Sequence, residues 1–274
     1  MEQQLRVASS IDLRSLDTRS TPGFQGDKAA GETVLSKERD ELAELQEKLF
    51  AAGRFGDERR VLLVLQAMDT AGKGGILKHV VGSVDPQGVD IAAFKAPTAE
   101  EQAHDFLWRV RKRLPEAGMI GVFDRSHYED VLIHRVHGLS QPDEIDARYG
   151  QIVDFEREVV ASGTTLIKVM LHISPKEQKK RLAERLKRPD KHWKFNPGDI
   201  TERACWDDYM TAYQIAIERT STEEAPWHVV PADRKWYARL AVHRLLLGAL
   251  RSLGQDWPKA DFDVDVERRR LAAT

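Results

Sequence analysis

Residues 61–75 read VLLVLQAMDTAGKGG, and no other stretch restricts the fold of this chain as much. Val61 to Leu65 form an unbroken apolar run, which suits a strand buried on both faces of a parallel sheet. A short glycine-bearing loop follows, and Gly72-Lys73 then opens a helical stretch. Strand, loop and Gly-Lys helix make a cradle for phosphate. Backbone N–H groups point at one anion, the helix dipole favours it, and lysine adds a point charge. Ala71, Gly72 and Gly74 supply the backbone of that cradle, and Lys73 its cation.

Two positions depart from the usual G-x-x-x-x-G-K-[ST] pattern: Ala67 stands at the first glycine and Gly74 at the metal-holding hydroxyl. Asp69 also places a carboxylate inside the loop. Beside bound phosphate it is repulsive unless a cation lies between them. Magnesium, or manganese in its place, takes carboxylate, phosphate and water oxygens. The oddities then explain each other, with Asp69 as the ligand that Gly74 cannot supply. The competing structural reading is that Asp69 makes a cap or an Asx turn.

Similar apolar runs recur at 119–123 and 166–173, with weaker ones at 89–94 and 227–231. Helical patterns fill the gaps at about 74–83, 99–114, 127–137, 142–161, 175–187, 200–219 and 233–252, and Leu35–Gly53 precedes them. Strands alternating with helices predict an α/β fold, a three-layer α/β/α sandwich on a parallel sheet. The expected organisation is a polar, partly disordered arm at 1–33, one domain at 34–256 and a tail at 257–274.

The run at 119–123 ends in Asp124-Arg125-Ser126. Ligands of open parallel sheets bind beyond the carboxyl ends of strands, so Asp124 is a second metal carboxylate and Arg125 a phosphoryl-neutralising cation. A helix N-cap is the alternative for Asp124. Glu129 follows. It either reads a donor on an acceptor base or pairs with Arg125, four residues earlier. His127, His134 and His137 allow a zinc pair by spacing, but no further ligand pattern accompanies them, which favours surface or packing roles.

Residues 176–203 are strongly basic and interrupted by Pro189 and Pro197-Gly198. Arg181, Arg185 and Arg188 share helical spacing, as a lid over phosphates requires and as a solvated helix face also allows. Trp193 and Phe195 would pack or anchor that lid. The formal net charge is only -2, so no global field for nucleic acid exists and any polyanion must meet a local patch. A single cysteine, Cys205, suits a reducing cytoplasm, and no apolar run has signal-peptide or membrane-span length.

The chain resembles the polyphosphate kinase 2 family. The resemblance rests on LQAMDTAGKGG (65–75), FDRSHYEDVLIHRVHG (123–138), LHISPKEQKKRLAERL (171–186), WKF (193–195), WDDYMTAYQIAIERTST (206–222) and APWHVVPADRKWYARL (225–240), in order over about 20–255. It implies a P-loop kinase fold similar to thymidylate kinases, with a helical lid at about 176–203. It implies Asp69 and Asp124 on magnesium, Lys73 and Arg125 on the phosphates, and Arg181, Arg185 and Arg188 facing inorganic polyphosphate. Ala67 departs from the family's first loop glycine. The segment SHYEDVLIHRVHG is similar to the subgroup that accepts nucleoside mono- and diphosphates, which implies adenine or guanine nucleotides as partners. Family members assemble as homodimers or homotetramers. An ATP-dependent nucleotide kinase and a non-catalytic polyphosphate- or nucleotide-binding regulator are the competing expectations.

Overall fold

The computed structural model describes residues 1–7 and 10–274. Five strands, β1 (Arg60–Ala67), β2 (Val89–Ala93), β3 (Ile120–Asp124), β4 (Thr164–His172) and β5 (Trp227–Pro231), form one sheet in the order β2-β3-β1-β4-β5. Every neighbouring pair is parallel. The helices of seven residues or more are α1 (Lys28–Lys37), α2 (Arg39–Arg54), α3 (Lys73–His79), α4 (Glu129–His137), α5 (Pro142–Ala161), α6 (Pro175–Lys187), α7 (Gly198–Ala204), α8 (Trp206–Thr220), α9 (Lys235–Leu253) and α10 (Val264–Ala272).

The strand period of two divides β1 between two cores. Val61, Leu63 and Leu65 pack with Leu42, Ile76, Leu245 and Leu246 on one face of the sheet. Leu62 and Val64 pack with Val131, Ile152, Phe155 and Ile217 on the other. Each of these buried side chains contributes about 1.5–3 kcal/mol, which is why a wholly apolar strand belongs in the middle layer. Because β3 and β4 flank β1 on opposite sides, the chain changes direction across the sheet at β1. The carboxyl end of β1 therefore opens into a crevice.

Five expectations are corrected. The segment 1–33, expected as a polar, partly disordered arm, is tied to the domain through its described residues. Leu5, Val7 and Leu13 are buried, Arg6 bridges to His228, and the Val7 N–H donates to the Trp227 carbonyl at 2.8 Å. Three scattered apolar residues carry no periodicity, so their burial was invisible locally. The boundary at 33/34 falls inside α1, which starts at Lys28 and is capped by the Asp27 carboxylate. The helix expected at 35–53 divides at Glu38, and the one at 200–219 divides at Cys205. Residues 99–114 hold only two short turns of helix, Ala99–Gln102 and Trp108–Arg111. There the Asp105 carboxylate takes the Leu107 N–H at 3.0 Å, offering the backbone an alternative to continuing the helix. Among the described residues, no helix is long and apolar enough to cross a membrane.

Burial pushes the pKa of His172, His228 and His243 down, that of His228 to about 4. A histidine with a depressed folded pKa contributes stability above its unfolded value near 6.5, and that contribution is lost as pH falls toward 4. For His228 the loss is on the order of 3 kcal/mol. Urea titrations between pH 6.5 and 4 should show the decline, with a shallower slope in His228→Gln. An identical slope in the variant would refute this assignment.

Candidate active site

The loop after β1 turns on two left-handed residues. Gly72 has φ 125°, which glycine tolerates, but Thr70 has φ 65°. A β-branched residue there is strained by about 1–3 kcal/mol and persists only where its surroundings hold it. Arg125, directly after β3, has φ 64°. Its N–H donates to the Leu65 carbonyl at 3.1 Å, so the end of β3 is tied to β1 beneath the loop.

The loop is held from behind by Arg181. Its Nη1 donates to the carbonyls of Thr70 (3.0 Å) and Ala71 (2.7 Å), and its Nη2 to those of Ala232 (2.7 Å) and Asp233 (3.2 Å). Its Nε meets Glu177 at 2.9 Å. A loop that turns its N–H groups toward an anion turns carbonyls away from it, and buried carbonyls need donors. The planar, five-donor guanidinium meets that need. Arg181 is thus a buried brace rather than a free lid cation. Gln178 adds a second tie, from its Nε2 to the Asp69 carbonyl at 3.3 Å.

The other lid arginines are also engaged. Arg185 binds the Lys194 carbonyl (3.1 Å) and Asp199 (3.2 Å), and Arg188 pairs with Asp190 at 2.8 Å on the surface. Trp193 does not close the lid: it is 78% exposed and donates to the Asp190 carbonyl. The spacing 181-185-188 is real, but intramolecular partners occupy these side chains.

At the mouth of the sheet the predicted residues do come together. Lys73 Nζ lies 3.7 Å from Asp124 Oδ1, and Arg125 Nη2 donates to Asp69 Oδ1 at 3.1 Å. Two carboxylates and two cations alternate around the loop, and both carboxylates keep some exposure to solvent. Gly74 faces open space, as a position without a side-chain ligand should. Ala67 sits inside β1 opposite Leu171, so its methyl group belongs to the strand end. Glu129 forms the expected ion pair with Arg125, at 3.8 Å. Burial pushes the Glu129 pKa up, and Arg125 and Lys73 offset part of that shift. Burial works against the charge on Arg125, yet Glu129 and Asp69 outweigh it and raise its pKa.

A cavity of about 250 Å³ adjoins these groups. Besides Asp69, Arg125 and Glu129, its walls include Asp199, Glu202, Tyr209 and Tyr213, none of which the sequence reading selected. Burial raises the pKa of both tyrosines, so they are hydroxyl donors at neutral pH. Burial, then Asp69, raises that of Asp199. Burial also acts to raise that of Glu202, but hydrogen bonds from Tyr209 and His137 prevail and lower it. The spacing of Tyr209 and Tyr213, one helical turn apart, was the available signal. The histidines diverge: His127 meets Glu156 (3.3 Å), His134 meets Ser140 (3.0 Å) and His137 meets Glu202 (3.0 Å). Among the described residues no three metal-ligating side chains cluster, and these histidines serve packing and surface contacts.

A parallel sheet with a Gly-Lys loop after its central strand and an aspartate ending the neighbouring strand defines a P-loop kinase-type phosphotransferase. Residues 25–256 match the family model Polyphosphate kinase 2 (PPK2), and the chain belongs to that family. It is 44% identical to the AMP/ADP-polyphosphate phosphotransferase of Meiothermus ruber over 92% of each chain. It is 40% identical to the ADP-polyphosphate phosphotransferase of Rhodopseudomonas palustris, across 94% of this chain and 92% of that protein. The crystal structure of polyphosphate kinase 2 from Arthrobacter aurescens TC1 superposes with a TM-score of 0.96 at 62% identity, covering 98% of this chain and 95% of the other.

Proposed function

We propose that this protein transfers the terminal phosphoryl group of inorganic polyphosphate to nucleoside mono- and diphosphates, AMP and ADP among them, reversibly. The observation that carries this reading is the Lys73–Asp124 and Arg125–Asp69 arrangement on a Gly-Lys loop, in a chain of the polyphosphate kinase 2 family. Lys73 and the loop N–H groups hold the terminal phosphates of the donor. Arg125, pinned by its left-handed backbone, faces the oxygens that gain charge as the phosphoryl group moves. The acceptor oxygen is already anionic near neutral pH, so in-line transfer needs positioning and charge neutralisation rather than a general base.

The donor set suits a hard divalent cation: two carboxylates of some exposure, with phosphates to complete the shell. Asp69 and Asp124 would hold magnesium, or manganese, which when bound neutralises phosphate charge. Asp69→Asn and Asp124→Asn should each require several-fold more magnesium for the half-maximal rate. Wild-type magnesium titrations in both would rule out a shared metal.

The reading extends to a cytoplasmic homodimer or homotetramer that binds neither nucleic acid nor membrane. The decisive experiment is an incubation with magnesium, polyphosphate and AMP or ADP, without ATP, beside one with AMP in which ATP replaces polyphosphate, each followed by chromatography of the nucleotides. Formation of ADP and ATP is the expected result. Transfer only from ATP would leave an ATP-dependent kinase, and no transfer from either would leave a binding protein.

A further inference from the structure

Arg181 and Gln178, which hold the phosphate loop from behind, both belong to α6, and the first turn of α6 is tied to Asp233. Asp233 Oδ1 accepts the Ser174 N–H at 2.8 Å, and Oδ2 accepts the Ser174 hydroxyl at 2.9 Å. The Ser174 side chain in turn caps α6, taking the Glu177 N–H at 3.1 Å. The Asp233 carbonyl accepts from Arg181 Nη2 at 3.2 Å. Asp233, Ser174, the start of α6 and Arg181 thus close a ring, and the loop carbonyls hang from its far side.

Thr18 grips this ring from outside. Its Oγ1 donates to Asp233 Oδ2 at 3.0 Å and its carbonyl accepts the Asp233 N–H at 3.1 Å, so one residue holds both the side chain and the backbone of Asp233. Two further ties set the same stretch of chain against the end of β4 and the first turn of α9. His172 Nε2 donates to the Leu13 carbonyl at 2.8 Å, and the Tyr237 hydroxyl to that of Pro22 at 2.6 Å. Leu13, Thr18 and Pro22 all precede residue 25, where the family match begins. A carboxylate that accepts three hydrogen bonds is held in one orientation, and removing one donor frees it to turn. What the ring holds matters, because Thr70 keeps its left-handed backbone only while its surroundings impose it.

We propose that residues 13–22 form a clasp that positions the phosphate loop, with Thr18 as a positioning residue acting through Asp233 and Arg181. The inference rests on the function proposed above. Thr18 itself need not touch substrate. The clasp sets where α6 lies, α6 sets where the Arg181 guanidinium lies, and that guanidinium sets the Thr70 and Ala71 carbonyls. The loop N–H groups, turned the opposite way, face the donor phosphates. Loosening the clasp therefore misplaces the phosphate cradle without removing any group from it. A small misplacement is costly in a transfer that depends on alignment.

The test compares wild type with Thr18→Val, which keeps the shape but removes the donor, and Thr18→Ser, which keeps the donor. Each is measured for steady-state transfer from polyphosphate to ADP, per folded molecule, and for amide hydrogen exchange at residues 68–75. In Thr18→Val, kcat should fall about tenfold, as for the loss of one hydrogen bond to a charged group, with KM for ADP near wild type. Exchange at 68–75 should quicken while β4 keeps its wild-type protection. Thr18→Ser should recover most of both effects. In an Arg181→Lys background, Thr18→Val should cost much less in kcat, because the brace through which it acts is already altered. Unchanged kcat and loop exchange in Thr18→Val overturn the clasp. So does a Thr18→Ser variant as impaired as Thr18→Val, or a loss that adds in full to that of Arg181→Lys. Should Arg181→Lys fold poorly, the exchange measurement decides. Wild-type protein that transfers nothing from polyphosphate overturns the underlying function instead, and the loop exchange still tests the clasp.

Discussion

Replacing Lys73 with alanine should lower kcat by about 10²–10³-fold while leaving the protein folded, because a charge contact made to the moving phosphoryl group is worth that much. The Lys73 side chain makes one ion pair, to Asp124 at 3.7 Å, and sits at the mouth of the sheet rather than in a core. Thermal melting should therefore stay near wild type while turnover collapses. The loss should appear in kcat more than in KM, since the phosphates would still meet the loop N–H groups. A well-folded variant with near-normal turnover would mean that the chemistry takes place elsewhere.

The largest effect on stability is expected at Lys168, a charged residue in the middle of β4 with no exposure to solvent. Its Nζ lies 2.5 Å from Glu156 Oε2, 2.7 Å from the Thr220 carbonyl and 3.1 Å from the Tyr128 hydroxyl. Thr220 Oγ1 in turn accepts from Trp227 Nε1 at 2.9 Å. Burial works against the Glu156 carboxylate, but Lys168 and His127 prevail and hold its pKa below the ordinary range. Lys168→Met would leave that carboxylate buried without its counter-ion, at a cost of about 3–5 kcal/mol in urea unfolding. Lys168→Met combined with Glu156→Leu should regain most of the loss, because replacing a whole buried pair by apolar side chains is often neutral. If the double variant is as unstable as the single one, packing rather than charge sets the cost. The network also has a positional consequence. It anchors Tyr128, the residue just before Glu129, below the site.

Much of the scaffold was legible locally. β1 and β3 are mainly apolar runs, and a parallel strand buried on both faces needs little else to be recognised. Helices with a continuous apolar stripe, such as α5 and α9, fell close to their expected limits. Where a polar side chain offers the backbone another partner, as Asp105 does at 99–114, the helical pattern misled.

The sequence alone determined the kind of chemistry. Gly72-Lys73 after an apolar strand and Asp124 at the end of another can be read because each is defined by its immediate neighbours. Only the tertiary structure decided what the remaining charges do. Arg181 looked like a lid cation beside Arg185, yet its partners Thr70 and Ala71 lie 111 and 110 residues away. Lys168 lies inside an apolar run, and only the fold brings Glu156, Tyr128 and Thr220 around it. Leu5, Val7 and Leu13 belong to the stretch expected as a polar, partly disordered arm, yet the core takes them in. Whether a charge is free or committed depends on which distant groups desolvate and pair with it, and that pairing is a property of the packed chain.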